Sequence, residues 1–507
     1  MIELLTASQK RRLQLILTLA HADQWVPLKK LSERIRASIR VLQDDLTFFK
    51  ESFVPADIQT SNKGIRLRFN SGYNLQSLYQ FFLNDSKAFQ LMEWVFLKEG
   101  VGIPELADHL AVSVPTIYRM IDQINRSIAP FDFQIEKNPC RIVGKEERIR
   151  YFFYQYFDEK YSYLNYPFVS IDEETFDTFL NFFIDLTEIP ADFAFYNIFK
   201  ITSSVNLIRY RQNHFVSTEE IRINFDEIIP SLDVYMAEFK QIEEKLQVKI
   251  STGLINQIFT PYVQEGFSLN AERFYAKAEE NRALKENIAF LNQILTGISD
   301  QNDISLSNKD RVIFALNNAA HLEYQEPQSG YILYNKNKYF ARDVQRNFPK
   351  FYEDLYEGMK AYREYLNKPT TEVGIYFFIY TLFSFWENLI PELQKQFKKV
   401  QVVILSDQHV RHAQMLKDFI LFELGSQVEV DIFTKNIVKR ETLEALDFDL
   451  ILMNFPLTSF KDKRSVYVEN VPVFHDLVKI QAAVHAIFTE RFPQLAHSTL
   501  PAEDFTL

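Results

Sequence analysis

Apolar residues recur at helical spacing from the start of the chain. Leu13, Ile16, Leu17 and Ala20 share one face of residues 6–20, and Ile39, Leu42, Leu46 and Phe49 share one face of "IRVLQDDLTFFK". Between them "VPLKKLSERI" follows a turn around Asp23-Gln24-Trp25, so three helices are predicted, the third opened by Ser38 as N-cap. The period then drops to two: in "DIQTSNKGIRLRFN" (57–70) Ile65, Leu67 and Phe69 alternate with Arg66 and Arg68, and Asn62-Lys63-Gly64 supplies a turn. Three helices and a basic hairpin outline a winged helix-turn-helix.

The outline repeats. "SKAFQLMEWVFLKEG" (86–100), "IPELADHL" and "VPTIYRMIDQINRSI" read as three more helices, the last with Val114, Ile117, Ile121, Ile124 and Ile128 on its inner face. "FDFQIEKNPCRIVG" (131–144) follows as a second wing around Asn138-Pro139. From about 146 to 395 the pattern is helical and rich in aromatics, with breaks at Asn165-Tyr166-Pro167, Ile189-Pro190, Ser251-Thr252-Gly253 and Pro327-Gln328-Ser329-Gly330. That length exceeds one comfortable helical core, and a composition break at "AEENRALKEN" (278–287) suggests two bundles. The last hundred residues alternate short apolar strands (399–407, 427–434, 447–454, 470–476) with helical stretches (408–424, 436–446), the pattern of a small parallel α/β sheet. The expected fold is mainly α and multidomain: winged units at 1–70 and 71–160, helical bundles at 161–285 and 286–398, and an α/β domain at 399–507.

Composition narrows the chemistry. The single cysteine, Cys140, excludes a disulfide framework and a cysteine metal site within one chain, and the nine histidines are scattered, so no metal is expected. With 47 Phe and 25 Tyr against 12 Gly, and no glycine-rich phosphate loop, no nucleotide cofactor and no enzyme are expected. No window is apolar enough to span a membrane, and "MIELLTASQKRR" lacks a leader pattern, so a soluble cytoplasmic protein is expected. The net charge of -11 is unevenly spread: residues 1–70 carry 12 Lys and Arg against 7 Asp and Glu, whereas residues 161–507 carry 34 against 48. An electrostatic footprint for nucleic acid therefore belongs at the N-terminal end.

The stretch "IPELADHLAVSVPTIYRMIDQI" (103–124) carries the sharpest motif. A helix-turn-helix needs a small residue where the helices cross, here Ala107, and an apolar inner set, here Leu106, Leu110, Val112, Ile117 and Met120. Ala111 stands in the turn where Gly is common, Ser113 is placed to cap the second helix, and Pro115 falls in its first turn, where a missing N–H costs little. Ser113, Thr116, Tyr118 and Arg119 then face outward at the end that meets base edges, with Arg119 suited to guanine or phosphate. The first unit offers Ser38, Arg40, Gln43 and Lys50, but Asp44 would be repelled by phosphate; Arg66 and Arg68 suit backbone or minor-groove contact. His214, in "VNLIRYRQNHFV", and His321, in "FALNNAAHLEY", each read as a histidine on a bundle helix, for which a core or partly exposed position with one hydrogen bond is the plain interpretation.

Together "ELADHLAVSVPTIYRMI", "CRIVGKEERIRYFFYQYF" (140–157) and "FYNIFKITSSVNLIRYRQNHF" (195–215) resemble the Mga family of transcription regulators of Gram-positive cocci and bacilli, with RofA-like and AtxA-like members. The resemblance spans essentially the whole chain. It implies two helical domains similar to those through which the sugar phosphotransferase system (PTS) regulates its targets, and a C-terminal domain resembling the IIB component of that system. It implies double-stranded DNA as partner with the second helix-turn-helix as main reader, His214 and His321 as phosphorylatable positions served by the PTS phosphocarrier protein, and a homodimer or higher oligomer formed through the C-terminal domain. Two departures stand out. Each bundle offers one histidine where paired histidines are usual, and "VVILSDQHVRH" has Ser406-Asp407 where an active IIB component has a nucleophilic cysteine. The first reading is accordingly a DNA-binding activator of virulence, surface or metabolic genes. An RNA-binding antiterminator would share the helical domains but begin with a small β-rich domain, and an active phosphotransferase component would need the missing cysteine.

Overall fold

In the computed structural model, residues 1–22, 24–217, 236–264, 266–322, 330–435, 439, 441, 443, 445–456 and 464–492 are described. The expected turn residue Asp23, the break at 327–329 and most of the helical stretch 436–446 lie outside them. The described residues divide into two compact units, one of residues 1–345 with 349–387 and one of residues 388–492 with 346–348.

The larger unit opens with α1 (Ala7–Ala20), α2 (Leu28–Ile35), α3 (Ile39–Ser52) and the antiparallel hairpin β1 (Ala56–Ser61) and β2 (Gly64–Phe69). Thr6 and Gln9 close a capping box on α1, and Ser38 caps α3 by accepting from Val41 N–H at 3.4 Å. Val26 exchanges both backbone hydrogen bonds with Ile65, at 2.8 and 2.9 Å, adding a third short segment to the wing. Gly64 is required there: its φ is +125°, and a Cβ would sit 2.2 Å from the Val26 carbonyl oxygen. Asp45 is buried in α3 and held by Arg11 Nε at 2.7 Å and Arg12 Nε at 2.8 Å, so two of the cations of this unit are engaged by one internal carboxylate.

After α4 (Leu75–Asp85) and α5 (Lys87–Leu97) the scheme recurs as α6 (Ile103–Leu110), α7 (Val114–Ile128), β3 (Phe133–Lys137) and β4 (Cys140–Gly144). The starts of α6 and α7 lie 75 residues after those of α2 and α3, and Val101 bridges Cys140 as Val26 bridges Ile65. Leu106, Leu110, Ile117, Ile121, Ile124 and Ile128 are buried, with Val112 and Met120 packed against them. Ile39 and Val114, expected on the inner faces, are 43% and 39% exposed. Each is the first residue of its helix, ahead of the buried inner stripe.

From the second wing the chain enters α8 (Glu146–Lys160), whose Phe152, Phe153, Tyr156 and Phe157 are buried. Next come α9 (Glu173–Thr187), α10 (Phe193–Arg211), α11 (Met236–Leu246) and α12 (Thr252–Ile258). Phe183 and Phe199 stack on Phe259 at 3.8 and 5.3 Å between centroids, which accounts for the aromatic richness as packing. Then follow α13 (Ala271–Glu280), α14 (Arg282–Gln301, capped by Asn281), α15 (Lys309–Leu322), α16 (Lys336–Asn347), α17 (Pro349–Tyr365) and α18 (Glu372–Phe385).

The smaller unit contains α19 (Leu389–Gln394), β5 (Val400–Leu405), α20 (Val410–Leu424), β6 (Val428–Ile432), β7 (Leu450–Met453), β8 (Arg464–Tyr467) and α21 (Phe474–Arg491). Its strands form one parallel sheet in the order β6-β5-β7-β8. The fourth strand is 464–467, not the expected 470–476. That apolar run leaves Val471 and Val473 exposed and passes into α21.

Candidate nucleic-acid interface

The two helix-turn-helix corners are built alike. Arg36 and Ala111 close the first helix of each pair in the left-handed region, with φ of 58° and 50°. The N–H of the following residue then returns to the carbonyl five positions back, Ala37 to Ser32 at 3.2 Å and Val112 to Ala107 at 3.0 Å. Neither residue is glycine, so each corner carries steric strain of about 1 kcal/mol.

At the start of α7, Ser113, Tyr118 and Arg119 are exposed and Thr116 is half-buried. Ser113 occupies the N-cap position, yet the expected side-chain cap is not made: its hydroxyl lies 2.8 Å from the Thr116 hydroxyl instead. Pro115 has no N–H to offer, and the Thr116 N–H is taken by the Ser113 carbonyl at 2.8 Å. Arg119 Nη2 donates to Thr116 Oγ1 at 3.3 Å, so these three side chains form a polar row at the positive end of the helix.

The wing is tied to this helix by residues that the sequence reading missed. Asn125 donates to the Ile135 carbonyl at 2.9 Å and accepts the Ile135 N–H at 2.8 Å, pairing with β3 as a strand edge would. Lys137, beside the wing turn, reaches Asp122 on α7 at 2.5 Å and lies 5.5 Å from the centre of the Tyr118 ring. Arg126 is exposed, as is Arg141, which pairs with Glu136 at 2.5 Å. An asparagine inside an amphipathic helix, and cations flanking Asn138-Pro139, were the available signals.

In the first unit Ser38, Arg40, Gln43, Lys50 and Arg68 are exposed. Arg66 is half-buried, and its Nε is enclosed without a hydrogen-bond partner. By the 75-residue offset Asp44 occupies the place of Arg119, so the two corners present opposite charge at the same position.

Two family descriptions match the chain: the Mga helix-turn-helix domain over residues 72–157, and the M protein trans-acting positive regulator (MGA) PRD domain over 172–389, PRD denoting the PTS-regulation domain. Together they cover more than half of it. The chain belongs to the Mga family. A Streptococcus pneumoniae serotype 4 protein named "Putative trans-acting regulator" is 27% identical over 93% of this chain and 96% of its own length. The "Capsule synthesis positive regulator AcpB" of Bacillus anthracis is 19% identical over 65% of this chain and 71% of its own length. An "Anthrax toxin expression trans-acting positive regulator" from the same organism is 24% identical over 32% of this chain and 34% of its own length. The Mga helix-turn-helix match contains α6, α7 and the second wing.

Within the Mga PRD match, His214 lies three residues past the end of α10 and not on the helix as expected, because the chain turns at Gln212-Asn213. Its Nε2 contacts both oxygens of Glu99, at 2.8 and 2.9 Å, in the connection between α5 and α6. Two neighbours make the same crossing: Gln212 donates to the Phe96 carbonyl at 2.8 Å, and Arg209 donates to the Ile142 carbonyl of β4 at 3.2 Å. Arg209 is 1% exposed and shares Glu146 with Arg150, which is also buried, at 2.7 and 2.9 Å. The end of α10 is thus docked on the second winged unit by three adjacent polar contacts.

His321 lies in the last turn of α15 with its ring against Gly266, where a Cβ would fall 2.0 Å from it. The residue is exposed at its outer edge; desolvation of the ring where it lies against the protein, then the charges of Lys368 and Lys277, push its pKa down to about 4, so the ring is neutral at physiological pH. In the smaller unit Ser406 follows β5 directly, with its hydroxyl 2.8 Å from His412 Nδ1, and His412 Nε2 meets the Asn470 carbonyl at 2.6 Å. Among the described residues no group of three His, Cys, Asp or Glu is placed to hold a metal ion, and no helix is long and apolar enough to cross a membrane.

Proposed function

We propose that this protein is a transcriptional activator that binds double-stranded DNA with the N-terminal end of α7 in the major groove. The observation that carries the reading is the exposed row of Ser113, Tyr118 and Arg119 on a helix-turn-helix whose wing is braced to the same helix by Asn125 and Lys137. In this reading Arg119 contacts guanine or phosphate, Thr116 orients it, and the cations of the second wing contact the backbone. Ser38, Arg40, Gln43, Arg66 and Arg68 of the first unit add backbone contacts. Its Asp44 and internally paired arginines make it the weaker partner. The positive regulators among the relatives support activation.

Regulation acts through the end of α10 in this proposal. The Glu99 contact and a phosphoryl group cannot share His214 Nε2, so modification there adds about two negative charges beside Glu99 and drives the contact apart. The neutral ring of His321 is the nucleophilic form and is the second acceptor. The PTS phosphocarrier protein is the proposed donor, the cytoplasm the proposed location, and the five-part division stated above the proposed domain plan. The smaller unit, which leaves Phe422, Val471 and Phe474 exposed, is the proposed self-association module.

The test is Arg119→Ala in the full chain, measured by binding to a labelled duplex from upstream of its own gene across a salt series, with unrelated duplex and RNA as competitors. The expected loss is about 1–3 kcal/mol, roughly 5- to 150-fold, at unchanged thermal stability, because the residue lies outside the core. Wild-type affinity in the variant refutes the assignment of α7. RNA competing better than duplex favours the antiterminator instead.

A further inference from the structure

A cavity of about 710 Å³ lies inside the larger unit, within the range of volumes that hold small-molecule ligands. One wall is a face of α8 at helical spacing, Tyr151, Tyr154, Gln155 and Asp158, opposite the buried phenylalanines of the same helix. The other walls come from α10 and the segment after α12, and from α15, α16 and α18. The cavity thus touches the helix that leaves the second wing and both halves of the PRD match.

Its walls carry many charges, and each lining cation is engaged by a carboxylate of the protein, Asp132 being shared by Arg148 and Lys145 and Glu146 by Arg150 and Arg209. Arg148 pairs with Asp132, Lys145 lies 3.8 Å from Asp132, Arg150 holds Glu146 at 2.9 Å, and Lys336 is 3.3 Å from Asp158. Glu159 is satisfied by the backbone N–H groups of Ile332, Leu333 and Tyr334. An anionic ligand would have to compete with these carboxylates for cations already engaged, and a cationic one would have to displace those cations. What the wall leaves open is neutral: aromatic faces, and the amide oxygen of Asn337, which is enclosed without a hydrogen-bond partner. An enclosed acceptor calls for a donor, and aromatic faces call for a ring.

We propose that this cavity binds an uncharged, hydroxyl-bearing ring compound, a free sugar or a nucleoside, with one hydroxyl donating to Asn337 Oδ1 and the ring lying against the tyrosines. The ligand bridges α8 to the PRD helices.

The test is thermal shift and titration calorimetry on the full-length protein with glucose, maltose, lactose, adenosine and uridine, and with the phosphate esters of glucose and adenosine. At least one neutral compound is expected to raise Tm by about 2 °C or more at saturation. Asn337→Leu should weaken that binding about tenfold. Ile198→Trp, which fills the cavity, should abolish it, and deuterium exchange of the 151–159 peptide should slow with ligand only when the cavity is open. The sugar and nucleoside arms decide between the two sources. The proposal is overturned if no neutral compound binds, if a phosphate ester binds tenfold tighter than its parent, or if both variants bind as wild type. None of these readouts depends on DNA binding.

Discussion

Glu146→Gln tests whether α10 is fastened to the second wing by charge. Glu146 is the single carboxylate shared by Arg150, 4% exposed, and Arg209, 1% exposed. Glutamine keeps the volume and one acceptor but turns an NH2 group toward a guanidinium and leaves two buried cations with only the more distant charge of Glu147 against Arg150. Breaking a buried pair from one side costs about 3–5 kcal/mol. Arg150 retains Gln257 and the His214 carbonyl, and Arg209 retains the Ile142 carbonyl, so the lower end, about 3 kcal/mol, is expected. Deuterium exchange in peptides 140–150 and 205–216 should therefore accelerate by about two orders of magnitude, since 1.4 kcal/mol is tenfold. Burial raises the carboxyl pKa, but the hydrogen bonds and charges of Arg209 and then Arg150 outweigh it, leaving it below 4.5. A depressed folded pKa contributes stability above the unfolded value that is lost as pH falls through the folded one. Wild-type protection of these peptides should thus begin to fall below about pH 4.5, and the variant should not show that loss. Acceleration of less than tenfold at neutral pH would refute the fastening. The combined Glu146→Leu, Arg150→Met, Arg209→Met variant should recover most of the protection, because apolar replacement of a buried charge cluster is tolerated far better than breaking it.

Three further outcomes follow from the geometry. Burial pushes Glu159 up to about 7 against three backbone hydrogen bonds that lower it, so the folded state favours the proton, and stability falls as pH rises from about 4.5 to 7; Glu159→Gln should flatten that part of the Tm-against-pH curve, and an unchanged slope would contradict it. Ala111→Gly removes the left-handed strain at the second corner and should stabilise by up to about 1 kcal/mol in urea titrations with DNA affinity unchanged. Asn125→Ala frees both backbone groups of Ile135 and should cost about 1–2 kcal/mol, read as faster exchange of the Ile135 amide and weaker duplex binding; protection equal to wild type would show that the wing stands without the brace.

The winged units were legible because their signals are local. The period change at residue 57, the glycine at 64 and the inner stripe of 106–128 each constrain a few neighbouring residues. What escaped depends on partners far along the chain. His214 reads as a helix residue until the turn at Gln212-Asn213 is seen, and nothing near it in sequence announces Glu99, 115 positions away. The fourth strand was misplaced because the run at 470–473 is apolar without being buried, while Arg464–Tyr467 shows a charged start and little apolar content. The cap at Ser113 failed for a reason present in the sequence, since Pro115 removes one of the two donors that such a cap uses.

The repeat presents one scaffold with two different charge patterns. Both corners close with a left-handed residue, both wings gain a bridging residue ahead of the first helix of the pair, and the offset holds throughout. The difference lies in where charge is spent: in the first unit Arg11 and Arg12 are committed to Asp45, and Asp44 faces outward where the second unit has Arg119. The second unit is also the one that α10 touches, at Phe96, Glu99 and Ile142, that is, ahead of the first helix of the pair and within the wing. Those two places bracket α6 and α7. In the proposed function, a change at 209–214 would therefore bear on α7 and its wing together, whereas a change at the first unit would leave both in place.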